Sequence, residues 1–250
     1  EKIGAVVEDE RASLVHNPVD TTLWQEADPG LFRETYREQG LGDADYIVCI
    51  GRLETRKNQL MLARAVRGLP VKLVLIGHEG DPSYAAKVRE IGGDQILMTG
   101  RLDHGGDLLR SALAGAGAFV LPSWAEGASL AALEAAAVGA NLVLSDRSSE
   151  REYFGDLAQY CDPGDLESLR AAIMAALAIE DRQARAEKLR ALVREKNSWE
   201  HYARETAEAY ARCMASTSKS VPDISRAIPR HAPKLVRSEE HTSELQSPLD

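Results

Sequence analysis

Apolar residues in this chain cluster into short runs rich in Val, Ile and Leu, separated by longer stretches in which they recur at helical spacing. The short runs, 13–16, 46–50, 71–76, 95–99, 118–121, 141–144 and 159–161, predict buried β-strands. The stretches 59–67, 83–91, 107–116, 130–138 and 166–179 predict helices, and an amphipathic run from Trp199 to Met214 predicts a last one. Strands alternating with helices of this length predict an α/β fold, a doubly wound parallel sheet of Rossmann-like type. Ligands of such sheets sit beyond the carboxyl ends of the strands. Gly51-Arg52, Gly77-His78, Gly100-Arg101 and Ser123 to Gly127 each follow a predicted strand, so four loops are expected to line one crevice.

Composition narrows the class without naming it. The sequence has 250 residues, 44% of them hydrophobic, enough for a sizeable core. A formal charge of −9 argues against nucleic acid as a partner, because phosphate backbones call for a basic surface. The three cysteines, Cys49, Cys161 and Cys213, are widely spaced with no Cys-x-x-Cys, which suggests neither a disulfide framework nor a thiolate metal site. A reducing, cytoplasmic compartment is expected. With no uninterrupted apolar stretch long enough to span a bilayer, membrane contact is expected to be peripheral at most.

The most informative pair is Glu126 and Glu134, in Glu126-Gly-Ala-Ser-Leu-Ala-Ala-Leu-Glu134, directly after the run Ala118-Phe-Val-Leu-Pro122. Pro122 and Gly127 place Glu126 in a loop, whereas Leu130 to Val138 reads as helix, so Glu134 lies just over one turn in. Unpaired N–H groups at that helix start favour an anion by about 0.3–1 kcal/mol. Two carboxylate acceptors beside an anion site suit a nucleotide-sugar. The bland alternatives are a solvent-facing helix glutamate at 134 and, for Arg52, Arg56 and Lys57, a solvated basic loop.

The stretch resembles the Glu-x7-Glu signature of the family-four retaining glycosyltransferases, which have two Rossmann-like domains in the GT-B architecture. Further segments resemble the same family in the same order. They are Leu14-Val-His-Asn17-Pro-Val-Asp20, Ile50-Gly51-Arg52-Leu-Glu-Thr-Arg-Lys57-Asn58, Ser145-Asp146, and Arg151 through Cys161-Asp-Pro-Gly-Asp165. The resemblance covers about residues 13–214 and implies one half of a GT-B architecture, the half that binds the donor.

That resemblance implies roles for individual residues. Arg52 and Lys57 would hold the donor diphosphate in place of a metal ion, and Glu126 would lie by the sugar and support charge as the glycosidic bond opens. These three are the catalytic candidates. Gly51, Arg101, Leu102, Gly127, Ala128, Ser129, Leu130 and Glu134 are the donor-binding candidates, with Glu134 on the ribose and Arg101-Leu102 by the base. The family's usual Glu-Gly-Phe-Gly is here Glu126-Gly127-Ala128-Ser129, which removes an aromatic. It would also cost about 1 kcal/mol if residue 129 needed a glycine conformation. The implied reaction moves a sugar from a nucleoside diphosphate to a hydroxyl acceptor with retention, without metal or cofactor. The acceptor, a glycan or a lipid-linked sugar, would be held by an amino-terminal domain that the sequence lacks. Residues 1–12 read as the end of that domain or its linker, so this chain alone is expected to bind donor weakly and transfer nothing measurable.

Other signals lead elsewhere. Asp43-Ala-Asp45 spells a metal-binding Asp-x-Asp but precedes a strand, facing away from the crevice, so no metal site is expected. Gly127-Ala-Ser129-Leu-Ala131 resembles an altered hydrolase elbow with Ser129 as nucleophile and His201 as its distant partner. A non-catalytic nucleotide-sugar-binding or partner subunit is the other alternative. The last helix, opened by Ser198-Trp199-Glu200, is expected to expose an apolar stripe of Trp199, Tyr202, Thr206 and Tyr210. Residues 215–236 read as a disordered tail. The final segment 237–250 resembles the conceptual translation of a sequencing adapter and is expected to be an artefact.

Overall fold

Six strands carry the apolar runs: β1 (Tyr46–Ile50), β2 (Lys72–Ile76), β3 (Ile96–Gly100), β4 (Ala118–Leu121), β5 (Leu142–Ser145) and β6 (Gln159–Cys161). The computed structural model describes residues 13–216. All strand pairings are parallel, in the order β3-β2-β1-β4-β5-β6. The order reverses between β1 and β4, and this switch point opens a crevice at their carboxyl ends.

The helices are α1 (Thr21–Gln25), α2 (Leu31–Thr35), α3 (Gln59–Val66), α4 (Pro82–Gly92), α5 (Asp107–Ala114), α6 (Leu130–Val138), α7 (Glu150–Phe154), α8 (Leu166–Leu177), α9 (Arg182–Lys196) and α10 (Trp199–Ser216). α3 packs with α4 and α8, while α6 packs with α1, α5 and α9. Strands buried on both faces explain why β1, β2, β4 and β5 read as unbroken apolar runs. α6 is enclosed too: Ala132 through Val138 are all buried.

Several expectations need correction. Residues 13–16 form no strand, and Leu14 is 71% exposed; an apolar pair without a neighbouring strand to bond gains nothing from extension. α9 was not predicted, since only Ala186, Leu189 and Val193 of its 15 residues are buried and its charged remainder hides that narrow stripe. Short helices at 21–25, 31–35 and 150–154 were also absent from the pattern, being single turns held by their surroundings.

The chain divides into two compact units, Glu1–Ala209 and Tyr210–Asp250. The first holds the sheet and all helices through most of α10; the described part of the second is the end of α10. In the first unit Trp199 is 56% exposed, with Tyr202 and Thr206 half-buried, so the expected stripe is open chiefly at Trp199. Tyr210, in the second unit, is exposed. Of the expected disordered tail 215–236, Ala215 and Ser216 are instead the last residues of α10, its final turn running on past Met214; the rest of it, and the expectations for residues 1–12 and 237–250, lie outside the described residues.

Candidate functional site

Glycines let three loops leave the sheet together. Gly51 and Gly77 follow β1 and β2, and Gly100 ends β3, with φ of 152°, 150° and 72°. A Cβ on Gly77 would lie 2.0 Å from the Gly51 carbonyl oxygen, so the first two loops approach backbone to backbone. Gly51 N–H donates to Ile76 O and Gly77 N–H to Gly100 O, each at 2.9 Å, extending the ladder past the strand ends.

Asn58 ties further loops to these. It holds a left-handed conformation at φ 60°, which asparagine tolerates, and its side-chain amide donates to Pro122 O (3.1 Å) and Pro163 O (2.8 Å). One buried side chain thereby joins the loops after β1, β4 and β6.

Across the switch point, Lys57 Nζ donates to Glu126 Oε1 at 2.6 Å. The side chains are 13% and 9% exposed, so Lys57 is not a charge on a solvated loop. Arg56 Nη1 lies 3.3 Å from the same oxygen and donates to Ala125 O at 2.9 Å. Burial pushes the Glu126 carboxyl upward, but the hydrogen bond and charge of Lys57, with Arg56, outweigh it and hold it below the usual carboxylate range. Glu126 N–H donates to Ser148 Oγ at 3.1 Å and Ser149 Oγ donates to Gly127 O, which pins the 126–129 loop onto the loop after β5.

Ser129 resolves the question raised by its departure from glycine. Its φ is −80°, so no glycine conformation is needed, and its Oγ accepts from Ala132 N–H as the N-cap of α6. The same bond removes the hydrolase reading. Ser129 is a buried cap in extended conformation, and His201 is engaged with Arg204 and Glu205 of its own helix. Asp43 pairs with Arg37, and Asp45 lies 3.9 Å from Arg33, both ahead of β1 and away from the crevice.

Glu134 is 6% exposed rather than solvent-facing. Its Oε1 is 2.7 Å from His104 Nε2. Burial pushes its carboxyl above the usual range, with His104 pulling the other way. Gly51, Arg52, Gly77, His78, Arg101, Leu102, His104 and Glu134 line a cleft of about 240 Å³ over β1, β2 and β3. Arg52 is 57% exposed there, with Glu54 3.6 Å away. Of the expected residues, Gly51, Arg52, Arg101, Leu102 and Glu134 share this cleft; Lys57, whose side chain runs beside Gly51, and its partner Glu126 are not in the lining, and neither are Gly127, Ala128, Ser129 and Leu130. A cavity of about 270 Å³ at the amino ends of β4 and β5, by Asn141, Arg182 and Arg190, contains none of them.

Sequence reasoning missed His104, Ser148, Ser149 and the buried Glu150. His104, Ser148 and Ser149 stand in loops after β3 and β5 and each bonds a residue remote in sequence, while Glu150 opens the short α7, which local pattern did not show.

The chain is 31% identical over 175 residues to the O-antigen chain mannosyltransferase B of Escherichia coli, covering 66% of this chain and 45% of that protein. It is 29% identical over 224 residues to the alpha-maltose-1-phosphate synthase of Mycolicibacterium smegmatis, covering 82% and 58%. The chain thus spans about half the length of the curated relatives it matches. Among solved structures, sucrose-phosphate synthase from Thermosynechococcus elongatus superposes with TM-score 0.69 at 23% identity, over 82% of this chain and 53% of that one. HepE from Anabaena in complex with UDP and glucose superposes with TM-score 0.71 at 17% identity, over 84% and 59%. These likenesses establish a GT-B-type fold for the sheet and its loops. Residues 32–205 match the family model for glycosyl transferases group 1, and the chain belongs to that family.

Proposed function

We propose that this chain is the donor-binding half of a retaining, metal-independent glycosyltransferase that uses a nucleoside-diphosphate sugar. The observation that carries this reading is the convergence on one switch point of a buried carboxylate, Glu134, an ion-paired carboxylate, Glu126, and the cations Arg52 and Lys57. The base lies against Arg101 and Leu102, and the ribose hydroxyls donate to Glu134. The diphosphate meets Arg52, Lys57 and the α6 start, where Ser129 occupies the N–H groups of Ala132 and Leu133 and leaves those of Leu130 and Ala131 for an anion.

In the transfer, the bond from the sugar's anomeric carbon to the diphosphate oxygen breaks, and a bond to the acceptor hydroxyl oxygen forms on the same face. The acceptor proton passes to a donor phosphate oxygen. Arg52 and Lys57 stabilise the charge that grows on the leaving diphosphate, a task that needs positive charge but no cofactor. Glu126, kept ionised by Lys57, supports the electron-poor sugar. The acceptor, a glycan or lipid-linked sugar, is held by an amino-terminal domain, so the chain alone is inactive. The setting is cytoplasmic with no nucleic-acid partner. Among the described residues no helix is long and apolar enough to cross a membrane. HepE's complex with UDP makes uridine diphosphate the first ligand to try.

The test is calorimetric titration with UDP, GDP, ADP and dTDP without added metal. One nucleotide should bind the wild-type chain and fail with Glu134→Ala. Transfer by the enzyme completed with its amino-terminal half, with the anomeric configuration followed by NMR, then checks retention. Binding without transfer would instead mark a nucleotide-sugar-binding partner subunit, and inversion would overturn the retaining mechanism.

A further inference from the structure

Glu134 is the one charged group on the buried face of an alanine-rich helix, Leu130-Ala-Ala-Leu-Glu134-Ala-Ala-Ala-Val138. A carboxylate so enclosed has two problems. Desolvation favours its protonated form, and its two oxygens can rotate into orientations that serve no ligand. Both are addressed by one residue from a different element. His104 stands in the loop between β3 and α5, thirty positions away, and its Nε2 meets Glu134 Oε1 at 2.7 Å.

The imidazole is itself held. Trp24, 1% exposed, packs edge-on against it with ring centroids 5.9 Å apart and planes at 71°. The following residue, Gly105, takes φ 69°, and a Cβ there would press on Leu23 at 3.0 Å, so the loop closes tightly over α1. Yet 72% of the His104 side chain is exposed, and it lines the same cleft as Arg101 and Glu134. It is a cleft residue with one ring nitrogen committed to Glu134 and a fixed ring plane.

We propose that His104 is the positioning residue for ribose recognition: by binding Glu134 Oε1 it fixes the carboxylate so that Oε2 accepts from the ribose hydroxyls of the bound nucleotide. This rests on the donor-site reading above and deepens it, because it makes discrimination at the ribose a property of a two-residue unit. The bond is charge-assisted and short, so its removal should be felt chiefly where the carboxylate acts. Phosphate contacts at Arg52 and Lys57 lie on another loop, and base contacts at Arg101, in the same loop as His104, do not run through the Glu134 carboxylate, so both should be spared.

The experiment compares the tightest-binding of UDP, GDP and ADP with its 2′,3′-dideoxy counterpart by calorimetry, on wild type, His104→Ala and His104→Gln. Wild type should prefer the ribonucleotide by roughly tenfold or more, the scale of a hydrogen bond to a charged group. His104→Ala should bring that ratio close to one while leaving dideoxy affinity unchanged. His104→Gln, which restores an N–H donor, should recover part of the preference. A ratio unchanged in His104→Ala, or an equal loss for both ligands, overturns the positioning role while leaving the donor site standing. Failure of wild type to bind any of the three overturns the donor site and this role with it. Because His104 is exposed, its substitution leaves the fold intact, which a matching thermal transition verifies.

Discussion

Lys57 Nζ and Glu126 Oε1, 69 residues apart in sequence, are 2.6 Å apart across the switch point and nearly enclosed. Removing Glu126 leaves Lys57 buried without its counter-charge, and removing Lys57 leaves Glu126 with only the more exposed Arg56 at 3.3 Å; loss of one member costs about 3–5 kcal/mol in fully buried, otherwise unpaired pairs and should cost less here. Lys57→Ala should therefore lower stability as well as donor affinity. Lys57→Met combined with Glu126→Gln should regain most of the stability and none of the affinity. A double-mutant cycle by urea unfolding, run beside nucleotide titration, separates the two effects.

The same pair fixes one arm of the pH dependence. Glu126 is held below the usual carboxylate range, so its stabilising contribution is present at neutral pH and lost as pH falls through its lowered folded value. In Glu126→Gln, the drop in thermal midpoint between pH 6 and pH 3 should be smaller than in wild type.

Glu150 supplies the opposite arm. It is 2% exposed at the start of α7, and burial, with the charge of Glu126 adding, pushes its carboxyl up. An acid with a raised folded value costs no stability below its unfolded value and destabilises the fold as pH rises through the folded one. Glu150→Gln should raise the thermal midpoint at pH 7 by about 2–4 °C, the scale of 1 kcal/mol in a domain this size. That gain should vanish at pH 4.

Ser129→Ala deletes the α6 cap and should cost about 1 kcal/mol, whereas Ser129→Gly should cost only a few tenths. The family's usual glycine is thus nearly free to return here, since residue 129 has φ −80° and no demand for glycine either way. Equal losses in the two variants, measured by urea unfolding, would show that Ser129 acts other than as a cap.

Gly77→Ala places a methyl 2.0 Å from the Gly51 carbonyl oxygen at a φ of 150°. Overpacking of this kind costs about 1–3 kcal/mol, with backbone strain added. Stability and nucleotide affinity should fall together, because the two loops that separate also carry Arg52 and His78. An unchanged affinity in the folded variant would place the nucleotide elsewhere.

The sheet was legible where burial alone decides it. Tyr46–Ile50, Ala118–Leu121 and Leu130–Val138 have the bounds their apolar runs predict, because the strands and all of α6 beyond its first turn are enclosed and tolerate no charged residue but Glu134. Glu126 and Glu134 were visible for the same reason: a carboxylate beside an apolar run is an exception to local pattern. α9 was not visible, because three buried residues among charges carry too little periodicity. His104 was not visible because nothing near it in sequence marks a bond to a helix thirty residues on. The Lys57–Glu126 bond was likewise unreadable, although both residues were singled out separately.

Asn58 closes the loops after β1, β4 and β6 with two hydrogen bonds from a single amide, and it uses none of the side chains between Trp124 and Ser129 to do so. Architecture and selectivity are therefore inherited separately in this molecule. Substitutions in the 124–129 loop can change its side chains without loosening the three-loop tie, and Ala128-Ser129 stands in a frame that Asn58 holds independently of them.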